Sequence, residues 1–329
     1  MVKNLIEVKK LKKYFPVQKG FVETFLARKI DYVKAVDDIS FNIKKGEVFG
    51  LAGESGSGKT TTGRLVLRLT EPTEGKIFFN NTDISSLSPT EMRDFRKRMQ
   101  IIFQDPYASL NPRMKIGNSI GHSLLIHKIC DEDEKRKKVL NIMEKVELTP
   151  TNVLYEKYPH QLSGGQRQRA VIARALILQP DLIVADEPIA MADVSVRATL
   201  LKLMIDLKHE FNLTYLFITH DLATTKYICD RIAIMYLGKI FEMGTIYDVY
   251  SNPKHPYTEA LLSAVPIPDP KARRKHLIPR GEIPSSINPP PGCRFHPRCP
   301  HVMDICSKEE PELIDFGNNH LVACHLRYH

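Results

Sequence analysis

Eight residues, Gly53-Glu54-Ser55-Gly56-Ser57-Gly58-Lys59-Thr60, limit what this 329-residue chain can fold into more than any other stretch. Three glycines in six positions free the backbone from the conformations that a side chain imposes, so N–H groups can turn inward around a tight bend. EVFGLAG, just before, is a short apolar run that reads as a buried strand; GKTTTGRLVLRL, just after, has helical character. A strand, a glycine turn and a helix in that order point the helix's positive end at the turn, which suits an anion. Two glycines flank four residues and Lys-Thr follows, the spacing of a phosphate-binding loop. Lys59 then faces β- and γ-phosphates, the Thr60 hydroxyl faces Mg²⁺, and Ser55, Gly56, Ser57 and Thr61 complete the cradle. A chance glycine-rich turn is the bland alternative, and the strand before and helix after argue against it.

The rest of the chain alternates in the same way. LIEVKKL and the stretch from Tyr32 to Ile43 read as strands separated by a loop at Pro16 to Gly20, and GKIFFN reads as another. Residues 110–165 carry weak strand signals and one charged helical stretch, DEDEKRKKVLNIMEKVEL. RAVIARALIL reads as a helix and DLIVADEP as a buried strand. VRATLLKLMIDLKHEF is an amphipathic helix with apolar Leu200, Leu203, Met204, Leu207 and Phe211, and LTYLFITH is a strand. Long strand–helix crossovers give an α/β fold with a mainly parallel sheet. After about residue 252 prolines accumulate, and residues 252–329 read as an irregular extension wrapped on or leaving the core; the basic run Lys271 to Arg280 reads as a solvated linker, or as a contact with acidic lipid.

Composition narrows the setting. No window approaches the roughly 18 consecutive apolar residues of a membrane span, and the start lacks a secretory signal, so a cytosolic location is expected. The net charge of +9 suits a polyanionic ligand without choosing among nucleotide, nucleic acid and membrane surface. Four of six cysteines, Cys293, Cys299, Cys306 and Cys324, crowd the last 37 residues; in a reducing compartment this is a metal-site pattern rather than a disulfide frame.

Two further motifs refine the phosphate loop. In Leu182-Ile183-Val184-Ala185-Asp186-Glu187, four apolar residues bury a strand and two carboxylates emerge at its end, where ligands bind in open α/β sheets. Asp186 suits a Mg²⁺ shell and Glu187 suits polarising an attacking water, although the pair could simply cap the next segment. Leu162-Ser163-Gly164-Gly165-Gln166 places a serine and two glycines at a helix start, a second anion nest that is also an ordinary N-cap.

With LSGGQRQRAVIARAL the sequence resembles the ATP-binding cassette (ABC) ATPases, P-loop NTPases with a RecA-like core, an antiparallel β subdomain and a helical signature subdomain. The resemblance implies that Ser163, Gly164, Gly165 and Gln166 cover the γ-phosphate held by a partner chain, so that ATP lies between two cassettes. It assigns Gln104 of IIFQDP to metal, water and coupling to the membrane subunit, and His220 of LFITHD, 33 residues after Glu187, to the γ-phosphate. Phe15 corresponds to the aromatic that stacks on adenine, with Tyr14 as its competitor for that role. Relatives carry Ser-Ala-Leu-Asp after the catalytic glutamate; here the loop is Ala190-Met191-Ala192-Asp193, which keeps Asp193 and loses the serine hydroxyl.

DYVKAVDDISF, IIFQDPYASLNPRM, HPYTEALLSAVP and GCRFHPRCP extend the likeness to ATPase subunits of oligopeptide and dipeptide importers. It implies a cassette over residues 1–251 with a helical subdomain near 105–165, and an oligopeptide-transporter extension over 252–329. It also implies ATP and Mg²⁺ as cofactors and a second, non-identical cassette ATPase. Two transmembrane permeases, a binding protein that delivers substrate, no nucleic acid, and a place on the cytoplasmic face of the membrane complete the expectation. Relatives move peptides, nickel chelates, glutathione or sugars with similar motors, and others act on DNA or ribosomes. For Cys293-x5-Cys299-x6-Cys306-x17-Cys324, four thiolates suit an iron–sulfur cluster or tetrahedral zinc, or remain packed thiols; some relatives of this importer class hold a [4Fe–4S] cluster in such a tail.

Overall fold

The computed structural model describes residues 3–17, 31–265 and 281–327. Most of the expected loop at Pro16 to Gly20, and all of the basic run Lys271 to Arg280, lie outside the described residues. The strands, in chain order, are β1 (Asn4–Pro16), β2 (Tyr32–Lys44), β3 (Val48–Ala52), β4 (Glu74–Phe79), β5 (Thr82–Asp83), β6 (Met99–Ile102), β7 (Leu182–Asp186), β8 (Thr214–Thr219), β9 (Arg231–Tyr236), β10 (Lys239–Thr245), β11 (Ile314–Asp315) and β12 (Leu321–Val322). The chain divides into two compact units: Met1–Leu5, Lys44–Glu47 and Leu87–Ile218 form one, and Ile6–Ile43, Val48–Ser86 and Thr219–His329 the other.

In the first unit β6, β7 and β8 run parallel, Met99 beside Leu182 and Leu182 beside Thr214. Every residue of β7 and β8 is buried, as the continuous apolar runs require of strands covered on both faces. The helix Glu132–Lys145 begins where charge predicts: Asp131 accepts the Glu134 N–H and three acidic residues fill the first turn. The helix Ile116–Ile126 has no such signature, and the sequence reading misses it. Its Gly117 and Gly121 serve packing, because a Cβ would lie 2.3 Å from the Tyr155 ring at one and 2.7 Å from the Lys135 side chain at the other. The helix Val194–Phe211 buries Leu200, Leu203, Met204 and Leu207 as its pattern predicts.

The second unit contains an antiparallel sheet in the order β2-β1-β4-β5, with Ile6 beside Phe79 and Val8 beside Ile77. Separately, β3 pairs in parallel with β9, and β9, β10, β12 and β11 continue antiparallel. The residues after 252 depart from the irregular expectation. Pro256 opens a helix, Pro256–Ser263, at a position where its missing N–H costs nothing, and His255 Nδ1 caps it by accepting the Tyr257 N–H at 3.0 Å. The described part of the tail packs onto the unit: β12 extends the sheet, and Tyr236, Phe241, Tyr257 and Phe295 cluster with ring centroids 4.7–6.0 Å apart. Among the described residues no helix is long and apolar enough to cross a membrane.

Candidate nucleotide site

The phosphate loop follows β3 directly, and the helix Lys59–Val66 follows the loop. Gly53 and Gly58 have φ of +151° and +104°, and a Cβ on either would sit 2.1 Å from a backbone oxygen, that of Met235 or of Ala35. Only glycine fits both constraints. The Ser57 carbonyl accepts the Gly238 N–H at 2.9 Å, tying the loop to the β9–β10 turn. Lys59 is 6% exposed; its ammonium donates to the Gly53 and Glu54 carbonyls, each at 2.8 Å, and to Ser57 Oγ at 3.2 Å. Ser55, Gly56 and Thr60 are exposed around it, and Thr61 is half-buried.

The carboxylates belong to the first unit. Asp186 ends β7 and is buried, while Glu187 comes next with φ +47°, a left-handed conformation unusual for a residue with a side chain. The neighbours fix it there: its N–H donates to the Ile218 carbonyl at 2.9 Å and its own carbonyl accepts the Ala190 N–H at 3.1 Å. Backbone held in this way costs of order 1–3 kcal/mol and aims the side chain. Gln104, exposed after β6, donates through Nε2 to Glu187 Oε2 at 3.0 Å, so two residues 83 apart in sequence meet.

In the same unit Ser163 caps the helix Gly164–Leu176. Its Oγ accepts the Gln166 N–H at 3.3 Å and its N–H reaches Gln166 Oε1 at 3.0 Å, so both side chains are engaged in the cap. Gly164 is exposed, and a Cβ on it would meet nothing within 4 Å. Asp193 precedes the helix Val194–Phe211 without a side-chain cap bond, and Arg197 holds the altered loop through the Ala192 carbonyl at 2.9 Å. Met191 is left 64% exposed.

His220, exposed, is the first residue beyond β8; next to it Asp221 accepts from the Ala223 N–H at 2.9 Å and from Thr224 Oγ1 at 2.6 Å. Near the N-terminus Tyr14 is tied by its hydroxyl to Asp37, which Arg294 of the tail also pairs with, whereas the Phe15 ring is 38% exposed with Lys13 Nζ 5.0 Å from its centre.

All four tail cysteines line one small cavity, together with His255, His296, His301 and His325. Burial pushes the Cys293 thiol up to about 12 and that of Cys324 to about 11. Among the described residues no three His, Cys, Asp or Glu side chains are placed to hold a metal ion as they stand.

The sequence reading does not single out four residues that organise the site's surroundings: Glu54, Tyr257, Arg298 and Glu242. No local pattern in the sequence marks Arg298, since Arg294 is a second arginine in the same proline-rich stretch.

The architecture matches solved cassettes. The post-hydrolysis dimer of the ATP-binding cassette MJ0796, bound to ADP and phosphate, aligns over 73% of this chain and 98% of its own with a TM-score of 0.64 and 28% identity. The fold is therefore that of a P-loop cassette ATPase. The profile of the ABC transporter family covers residues 36–190, and that of the oligopeptide/dipeptide transporter C-terminal region covers 241–306. The oligopeptide transport ATP-binding protein AppF of Bacillus subtilis is 47% identical over 98% of this chain and 97% of its own. The dipeptide transport ATP-binding protein DppF of Escherichia coli is 45% identical over 97% and 93%. The chain belongs to the ABC transporter ATPases, in the group that carries the oligopeptide/dipeptide transporter C-terminal region.

Proposed function

We propose that this chain hydrolyses ATP to drive a peptide importer from the cytoplasmic face of the membrane. Lys59 and the loop amides bind the phosphates, with nucleotide oxygens replacing part of the set that now surrounds the ammonium. Thr60, Asp186 and Gln104 hold Mg²⁺, Glu187 polarises the attacking water, and His220 contacts the γ-phosphate. Phe15 stacks on adenine, a role that its exposed ring supports better than Tyr14, whose hydroxyl is committed to Asp37. Ser163, Gly164, Gly165 and Gln166 close over ATP bound to a second cassette. The open space at Gly164 supports this, since the chain's own packing does not require a glycine there and a close approach from outside does. Asp193 lies in the loop that crosses to the other cassette.

The observation that carries peptide import over work on DNA or the ribosome is the 241–306 region shared with oligopeptide and dipeptide transporters, built into the second unit through β10. The implied assembly is two permeases, a second cassette ATPase of different sequence and an external binding protein. Purifying the chain in mild detergent from its own membranes should recover those components by mass spectrometry. Recovery of ribosomes or repair factors, without multi-span permeases, would overturn the transport reading. A binding protein that captures a nickel chelate, glutathione or sugar instead of peptide would replace the substrate and keep the motor.

The tail thiols have the chemistry for an iron–sulfur cluster, with zinc as the alternative. Cys293, Cys299, Cys306 and Cys324 are four soft donors around one cavity, and a cation there supplies the charge that lets buried thiols ionise. His255 adds a second observation. Its Nδ1 accepts the Tyr257 N–H, which leaves the proton on Nε2, and that buried atom has no hydrogen-bond partner. An N–H of this kind suits a cluster sulfur. The cavity has room for no more than about one water, so the thiols must spread on loading. A bound cluster would brace the tail. Protein purified without oxygen should carry about four irons and matching sulfide per chain. A colourless, iron-free preparation sinks the cluster, and stoichiometric zinc assigns the site to that metal.

A further inference from the structure

The phosphate-loop pattern leaves four positions open between Gly53 and Gly58, and this chain places a carboxylate at the first of them. A negative charge beside an anion cradle opposes the cradle's purpose. Two unit charges about 10 Å apart, at an effective dielectric near 20, repel enough to shift an equilibrium roughly tenfold.

The tail answers that charge. Arg298 Nη1 donates to Glu54 Oε2 at 2.8 Å and Nη2 to Glu54 Oε1 at 3.2 Å, a fork matched to both carboxylate oxygens. Arg298 is 8% exposed and its guanidinium also donates to the Tyr236 hydroxyl at 3.3 Å, so packing fixes its direction. The backbone of Glu54 is held from the same side, its N–H donating to the fully buried Tyr257 hydroxyl at 3.0 Å. Arg298 closes the short turn His296–Arg298, with buried Phe295 before it and Cys299 after. The loop's first turn thus takes its charge balance and its backbone anchor from residues beyond 252.

We propose that Arg298 is a positioning residue for nucleotide binding: it neutralises and fixes Glu54, so that the C-terminal region sets the ATP affinity of the phosphate loop. The inference rests on the reading of Gly53–Thr60 as the nucleotide loop. It makes the tail part of the nucleotide site's electrostatics in addition to any role as a brace, and it gives a change at the neighbouring cysteines a route to the ATP site.

Charge screening and plain structural support part company in a rescue experiment on the full-length chain, reading fluorescent-nucleotide affinity and nucleotide-free melting temperature together. Arg298→Met should weaken binding about tenfold, because it strands Glu54. Glu54→Gln should bind as tightly as the parent or tighter, because it removes the charge and leaves the cation. Arg298→Met with Glu54→Gln should return to within about threefold of the parent, since neither charge remains. A structural role alone would lower the melting temperature and give no such rescue. Parent-like binding by Arg298→Met, or a double variant no better than the single, overturns the proposal. If Arg298→Met does not fold, Arg298→Lys loses the two-pronged fit but keeps the charge, and because the repulsion is set by charge it should stay within about threefold; a larger loss there, or weaker binding by Glu54→Gln, is equally fatal. Lys59→Ala serves as the control: if it binds nucleotide normally, the loop reading itself is wrong.

Discussion

Glu187→Gln will keep ATP affinity within about threefold of the parent chain and lower steady-state hydrolysis by about two to four orders of magnitude. The substitution is nearly isosteric and leaves the surroundings in place. The left-handed backbone at 187 is imposed by bonds to Ile218 and Ala190 that involve no side chain, and a glutamine oxygen can still accept from Gln104 Nε2. In the proposed mechanism, what disappears is the negative charge that polarises the attacking water. In the same proposal binding depends on the phosphate loop, which the substitution leaves unchanged. Stopped hydrolysis with retained binding should also prolong the closed, two-ATP state, visible as an ATP-dependent dimer in size-exclusion chromatography. Near-parent turnover would remove Glu187 from the reaction and point to another base.

The contrast between what the sequence discloses and what it conceals has a physical basis. Phosphate loops, buried strand ends and glycine nests are legible because backbone geometry restricts each to few residue types; nothing but glycine fits beside the Met235 and Ala35 oxygens. The same rule hides the helix Ile116–Ile126. Its glycines meet a packing demand from Tyr155 and Lys135 while depressing the helix propensity that a reader looks for. Prolines conceal the helix Pro256–Ser263 for a similar reason, since an N-terminal proline starts a helix as readily as others break one. Arg298, Tyr257 and Glu54 are unreadable as a group because they stand 41 and 203 positions apart, and no local pattern links them. His220 and the four cysteines are the intermediate case. Their positions are plain in sequence, but their use depends on a resemblance.

One buried charge fastens the tail at two points, and removing it will be among the most destabilising single changes in the chain. Glu242, on β10, is fully buried and accepts from the Lys254 N–H at 2.9 Å, the His255 N–H at 2.9 Å and His320 Nε2 at 2.7 Å. Those donors come from the start of the C-terminal region and from the turn leading into β12, so a single carboxylate fastens both ends of the segment to the sheet. Glu242→Ala leaves two backbone N–H groups and a buried imidazole nitrogen without their acceptor, at a cost of about 3–5 kcal/mol. That is a large share of the roughly 5–15 kcal/mol that holds a typical domain together. Urea unfolding should show a lower midpoint, and limited proteolysis should release the tail first. Acid should act on the same point. Burial opposes the charged form of Glu242, yet the His320 bond and the backbone donors outweigh it and hold the carboxyl below its ordinary 4.5. A group with a native value below its unfolded one contributes fully above 4.5, and that contribution is lost as pH falls through the lowered native value. Glu242→Gln, which keeps the shape and cannot titrate, should therefore flatten the acid limb of the stability curve while lowering its plateau at neutral pH. An unchanged acid limb in that variant would assign the pH dependence to other carboxylates and remove Glu242 as the fastening.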